Sequence, residues 1–458
     1  MVYIAIDIGS TYIKSSLLNT QTGEIMGRNR IAVSEKLRLE SPLRFEVEMD
    51  EIYDSVKRIL DGYTSARSDI AGILLSTQQH GFVYSDPNFP RDKYISWQDA
   101  RCLEPIDDRG TTVLDLLKAQ ISVKEMRATG VYLKPALGMC NLYALIRERG
   151  GIIPKGAKLY TLGSYLIEKL TGVNACHMTN AAPIGLADIH HGCWHQALIK
   201  KLGFESIEFP RLMCAMEVCG YYEADGRYIA VYPDTGDVQT SIRGGGTVEG
   251  DVAVNMATAG QVCMVHRSCN MGRGDPRYYE VRPYFDGLYC HTISRMPSGR
   301  NMDVLIELIE EIGARVFGQT LTHAEIWKRL GNCGGSGETH GLVVDTSFYE
   351  MPEKLADGAI MHIDRANLNL ENLFGAVYAD MGRVYAHYIH LMEEAVGQKA
   401  TRMVFCGGAV RNNEWIRQAL VRAVGLPGMP SPASDEVHEG MMKIACSIEL
   451  HKRQNKGA

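Results

Sequence analysis

No stretch of about 18 residues in this chain is both apolar and uncharged, so the sequence offers no membrane-spanning helix. The N-terminus lacks the basic start and the apolar run of roughly 7–15 residues that mark a secretory leader, and opens directly on Val2–Ile6 with Asp7 behind it. The twelve cysteines include no C-x-x-C pair, and most lie in apolar surroundings such as Val404-Phe405-Cys406. Reduced core residues of a cytoplasmic protein are therefore expected, not a disulfide framework. Nor does one sign of charge dominate: Lys+Arg 48 against Asp+Glu 54 gives a net −6. That balance holds nothing to attract nucleic acid or an anionic membrane. These absences lead to the expectation of a soluble, intracellular protein.

A chain of 458 residues with 45% hydrophobic and 22% charged residues is globular and too long for one ordinary core. Two α/β domains are expected, divided as 1–232 and 233–458. Val2–Ile6 reads as a buried strand that turns at Asp7-Ile8-Gly9-Ser10-Thr11 into a returning strand from Tyr12 to Leu18. A glycine and two hydroxyls after a strand can offer N–H and O–H donors to phosphate oxygens. Asp7 could hold a hydrated Mg²⁺ there, and Lys14 could neutralise phosphate charge; a plain hairpin fits that segment equally. Asp50 is expected to cap a helix with Ile52, Val56, Ile59 and Leu60 on one face.

The strand Ala71–Ser76 delivers Gln78-Gln79-His80-Gly81 at its carboxyl end, where ligands bind in α/β sheets. Trp97-Gln98-Asp99-Ala100-Arg101 follows, with an apolar platform, donors and acceptors suited to a polyol; a local Asp-x-Arg salt bridge is the alternative. The central stretch Val231–Thr247 carries Gly236-Asp237-Val238-Gln239, which alone reads as well as a surface turn. In it, Asp234 is expected to form a turn. Val252–Met256 and Ala257-Thr258-Ala259-Gly260 echo the opening strand and turn without amounting to a sequence repeat. Asn301–Phe317 is expected to be a helix facing inward through Leu305, Leu308, Ile309 and Ile312, and Leu370–Val396 a long core helix. A strand to Phe405, then Cys406-Gly407-Gly408, then Asn412 and a helix from about Glu414, admits a flat ligand close to the backbone.

Taken in order, Asp7 to Thr11 with Lys14, Gln79-His80-Gly81, Trp97 to Arg101, Gly236-Asp237 and Gly407-Gly408 with Asn412 resemble the FGGY family of carbohydrate kinases. The Trp-Gln-Asp-x-Arg-Cys run and the Gly-Asp-x-Gln-x-Ser pattern look most like its sedoheptulokinases, with xylulokinases next. Ala100 stands where a glycine is usual, which bears on the sugar pocket.

The resemblance implies an actin-like, ribonuclease H-like double α/β fold, with ATP and sugar in a cleft between two lobes. It implies transfer of the γ-phosphoryl group of Mg·ATP to a terminal hydroxyl of a ketose, sedoheptulose first, with xylulose- or ribulose-type ketose or polyol kinases as alternatives. A non-catalytic nucleotide-binding actin-like protein is the third reading. The resemblance makes Asp237 the catalytic base and, with Asp7, a metal contact. Gln79, His80, Trp97, Asp99, Arg101, Gly236 and Gln239 would serve the sugar. Gly9, Ser10, Thr11, Lys14, Thr258, Gly260, Gly407, Gly408 and Asn412 would serve the nucleotide. Related kinases are commonly homodimers.

Overall fold

The computed structural model describes residues 1–89, 91–257, 259–275, 277–331 and 333–456. Two compact units emerge. The first comprises Met1–Gly245, Val281–Tyr289 and Ala433–Ala458; the second comprises Gly246–Glu280 and Cys290–Pro432.

In the first unit, Val2–Ile8 and Tyr12–Asn19 form an antiparallel hairpin, with Asp7 opposite Lys14. Ile70–Thr77 runs parallel to Val2–Ile8 on its other side and sets Ser76 beside Asp7. The full order is Gly220–Ala224, Arg227–Val231, Ile70–Thr77, Val2–Ile8, Tyr12–Asn19 and Glu24–Ala32; Thr235–Gly236 adds at the end of Ile70–Thr77. The central strand is apolar along its length apart from Asp7, and all seven of its residues are buried, because both faces of the sheet are covered. The helix Met49–Ala66 buries Ile52, Val56, Ile59 and Leu60 as its periodicity requires, though it starts after Glu48 instead of at Asp50.

A second core in this unit gathers helices Val113–Gln120, Val123–Thr129, Gly138–Glu148 and Gln196–Lys201 with Phe82, Ile95 and Phe204. Helix Leu162–Thr171 opens on a capping box at Thr161 and closes on Gly172, whose φ of 78° only glycine adopts without strain.

The second unit repeats the opening theme. Val252–Met256 pairs antiparallel with Gly260–His266 and parallel with Met403–Cys406, which in turn pairs with Gly428–Pro430. Leu370–Val396 is one helix with the bounds its pattern sets, burying Val377, Val384 and Tyr388, capped by Asn369 and ended by Gly397. Gly299–Phe317 buries Leu305, but Leu308 and Ile312 are 48% and 43% exposed, so the inward face expected for its C-terminal half is not formed.

The boundary expected after residue 232 falls elsewhere in the packing. Thr235 and Gly236 pair with Ser76 and Thr77 of the first sheet. The helix that follows, Asp237–Gly244, packs against the last helix, Glu436–Lys456, so Asp237 belongs to the first unit. Gly244 and Gly440 allow that close approach: a Cβ on Gly244 would lie 1.6 Å from the Glu436 carbonyl oxygen, and one on Gly440 2.0 Å from that of Thr240. All twelve cysteines are free thiols. Among the described residues no helix is long and apolar enough to cross a membrane.

Candidate active site

In the first unit the ends of three chain segments meet: the turn after Val2–Ile8, the residues after Ile70–Thr77, and the start of helix Asp237–Gly244. Asp237 takes the first helical position, where the helix dipole favours a carboxylate. It is half-buried. One oxygen, Oδ1, accepts from the Val238 N–H at 2.9 Å, and the other has no hydrogen-bond partner among the described residues. Burial pushes its pKa up to about 6, against the pull of that N–H and of the Arg282 charge. Asp7 is buried, and desolvation together with the negative charge of Asp237 raises its pKa to about 7.

Lys14 Nζ lies 3.4 Å from Asp435 and 3.9 Å from Asp7. In the turn between them the Gly9 N–H is spent on the Tyr12 carbonyl. Ser10 and Thr11 are exposed, and their N–H groups and hydroxyls have no partner among the described residues. A cavity of about 300 Å³ opens beside that turn, lined among others by Ser10, Thr11, Gln78 and Tyr94.

Gln79 packs against Gly236, the residue before Asp237. Its amide nitrogen donates to the Thr179 carbonyl at 2.8 Å and to Gln239 Oε1, while its Oε1 accepts from Arg282 at 3.2 Å. Gln239 is fully buried and donates to the carbonyls of Thr179 and Pro283. Gly236 makes this packing possible, because a Cβ there would lie 1.9 Å from Gln79 Nε2. His80 holds a φ of 66°, a left-handed conformation costly for a branched ring side chain. Its Nδ1 lies 2.7 Å from the Pro183 carbonyl, which can only accept, so Nδ1 carries the proton and Nε2 accepts from Arg282 at 3.3 Å.

Asp99 and Arg101, expected at the sugar, are both buried. They are 0% and 2% exposed. Arg101 donates Nε and Nη2 to the two Asp99 oxygens at 2.9 and 2.8 Å, and Nη2 also to Glu46 at 2.6 Å. Asp99 further accepts from the backbone N–H of Phe45 and of Arg101. Asp99 thus makes its hydrogen bonds inside the protein and pairs locally with Arg101, while Arg101 and Glu46 also line a cavity of about 430 Å³. Trp97, two residues before Asp99, is 41% exposed and free to wall a ligand.

Asp234, expected in a turn, is a fully buried hub. Its Oδ2 accepts from Thr161 at 2.9 Å, from Thr77 at 3.4 Å and from Asn180. It ties the first sheet to two helices three residues before Asp237. Arg282 is the functional neighbour the sequence reading missed; a lone arginine inside the strand-like run Tyr279–Pro283 is its one signal.

In the second unit, Gly407 has φ 82°, and a Cβ would lie 2.6 Å from Asn255 Oδ1 and from Met256, so only glycine fits against that strand. Gly408 starts a five-residue helix, Gly408–Asn412, ahead of Glu414–Val424, and nothing but Asn412 Nδ2, at 4.0 Å, comes within reach of its Cβ position. Gly260, expected at a phosphate, is buried at the start of its strand with the Tyr385 hydroxyl 2.5 Å from its Cβ position, so a side chain there would clash. Thr258 lies outside the described residues.

The sequence pattern of the FGGY family of carbohydrate kinases, N-terminal domain, matches residues 2–231, and the chain belongs to that family. It is 25% identical over 270 residues to a xylulose kinase of Klebsiella pneumoniae, covering 57% of this chain and 52% of that protein. It is 28% identical over 234 residues to a glycerol kinase of Alteromonas mediterranea, covering 48% and 46%. The chain thus spans about half the length of the curated relatives it matches. Among solved structures, the xylulose kinase of Rhodospirillum rubrum superposes with a TM-score of 0.81 at 17% identity, covering 97% of this chain and 89% of that one. The fold is the actin-like, ribonuclease H-like α/β fold in two units.

Proposed function

We propose that this protein is an ATP-dependent kinase that phosphorylates a terminal hydroxyl of a small polyhydroxylated acceptor, a ketose first of all, with Asp237 as the general base. The observation that carries this reading is Asp237 itself: a half-buried carboxylate at a helix start, one oxygen without a partner, and a pKa raised to about 6. A base in that range is ionised near neutral pH yet still basic enough to take a proton from a reacting hydroxyl. As the acceptor O–H bond breaks, its proton passes to Asp237. The oxygen bonds to the γ-phosphorus of ATP, the bond from that phosphorus to the β-phosphate oxygen breaks, and ADP leaves.

Among the described residues no group of three or more His, Cys, Asp or Glu side chains gathers to hold a metal. Two carboxylates in each other's field, Asp7 and Asp237, nevertheless fit a Mg²⁺ that keeps most of its ligands as water and phosphate. Bound there, the ion would neutralise charge on the phosphates. The unpartnered donors of Ser10 and Thr11 and the ammonium of Lys14 would meet phosphate oxygens, and Gly407, Gly408 and Asn412 would lie against adenosine. Trp97 and the groups around Gln79 and His80 would serve the acceptor.

Sedoheptulose is the first candidate, on the Trp97-Gln98-Asp99-x-Arg101-Cys102 run. Xylulose is the second, supported by the xylulose kinase relatives. An ADP-release assay over ketoses, aldoses and polyols, read against the rate with water alone, tests the proposal. Acceptor-dependent release with a ketose is expected. ATP binding without release for any acceptor would overturn the kinase reading in favour of a nucleotide-binding protein.

A further inference from the structure

Arg282 is 3% exposed. It reaches the site on a strand fixed from both sides: the Val281 N–H donates to the Gly130 carbonyl at 2.8 Å, and the Pro283 carbonyl accepts from Gln239 at 3.3 Å. Its Nη1 donates to Gln79 Oε1 and its Nη2 to His80 Nε2. Two side chains supplied by consecutive residues are thus held by the two prongs of one rigid fork.

Each of those side chains has a flipped alternative. A flipped Gln79 amide would turn an NH₂ toward Arg282 and an oxygen toward the Thr179 carbonyl, two repulsive contacts in place of attractive ones. A flipped or retautomerised His80 would lose either the Pro183 carbonyl or the guanidinium. The fork makes one arrangement of both groups much better than the rest.

We propose that Arg282 is a positioning residue for the acceptor. It fixes the Gln79 amide and the His80 imidazole, in its Nδ1–H form, relative to Asp237. The inference rests on the reading above that Gln79 and His80 serve the acceptor. Lysine cannot substitute, because a single ammonium does not present two parallel N–H groups at fixed spacing.

The variants Arg282→Met, which keeps most of the stem, and Arg282→Lys, which keeps the charge, test this in the full chain. Steady-state kinetics with the best ketose should show the acceptor KM raised tenfold or more in both, with the KM for MgATP within twofold of wild type. Imidazole ¹⁵N spectra supply a readout independent of turnover. His80 should be a single Nδ1–H tautomer in the wild type and a mixture in Arg282→Met. An unchanged acceptor KM, a parallel rise in both KM values, or an unchanged His80 tautomer in Arg282→Met would each overturn the inference. A wild-type protein that transfers to no acceptor, with the tautomer still shifting in the variant, would support the positioning role and overturn the acceptor reading instead.

Discussion

Replacing Arg101 by Met separates scaffold from ligand site. The substitution removes three charge-assisted hydrogen bonds, two to Asp99 and one to Glu46. Breaking a buried ion pair from one side costs about 3–5 kcal/mol, because it strands the remaining charge. Here the stranded carboxylates are partly looked after. Asp99 keeps the N–H groups of Phe45 and Arg101, and Glu46 keeps Lys93 at 3.2 Å. The loss should therefore fall at the lower end, about 3 kcal/mol.

With an m-value of about 2 kcal/mol/M, the urea midpoint of the first unit drops by about 1.5 M. Tryptophan fluorescence reads that unit alone if Trp327 and Trp415, both in the second unit, are replaced by Phe, leaving Trp97 and Trp194. The loss should also depend on pH with a definite sign. Burial pushes the Glu46 carboxyl up, but Arg101 outweighs it and holds the pKa below the ordinary value. In the wild type the pair therefore stabilises at neutral pH and fades as acid protonates Glu46. Without Arg101, burial is no longer overcome, and protonation relieves the variant instead. The gap between the two proteins should narrow from pH 7 to pH 4. A variant as stable as wild type that has lost its acceptor would refute this reasoning and return Arg101 to the sugar.

Three further outcomes are expected. Asp237→Asn should lower phosphoryl transfer by about 10²–10⁴-fold, while calorimetry finds nucleotide affinity nearly unchanged; transfer at the wild-type rate would mean another base. Gly236→Ala places a methyl 1.9 Å from Gln79 Nε2. It should raise the acceptor KM at least tenfold and cost about 1–3 kcal/mol in thermal unfolding; normal values for both would contradict the packing. Burial lowers the His177 pKa from 6.5 to about 4. The unfolded chain then binds the extra proton in that window, so stability should fall from about pH 6.5 to pH 4 by up to about 3 kcal/mol. A His177→Asn variant that falls just as steeply would reassign the effect.

The parts of the fold written locally were legible. Val2–Ile8 and Leu370–Val396 follow from apolar runs, periodicity and caps within the segment itself. The placement of Asp237 was less legible, since the strand pairing of Thr235 and Gly236 with Ser76 and Thr77 is what puts it in the first unit. What failed depends on partners far along the chain. Asp99-x-Arg101 looks the same whether it faces a ligand or the interior, and its partner Glu46, 55 residues before Arg101, is invisible to a local pattern. Arg282 meets Gln79 across 203 residues. Asp234 reads as a turn former until Thr77, Thr161 and Asn180 converge on it. Leu308 and Ile312 keep a helical period without a surface to cover. Periodicity states which face could be buried, and tertiary packing settles whether it is.

The last helix, Glu436–Lys456, belongs to the unit that the first residue begins. It covers the helix that opens with Asp237, and Lys443 donates to the Arg243 and Gly244 carbonyls at that helix's C-terminal end. During synthesis the chain therefore starts the first unit and then makes both parts of the second, with Val281–Tyr289 of the first between them. Only afterwards does it release the piece that seals the candidate base in place. The order of translation is thus not the order of completion. A ribosome stalled anywhere before residue 436 holds a protein whose Asp237 helix is still uncovered.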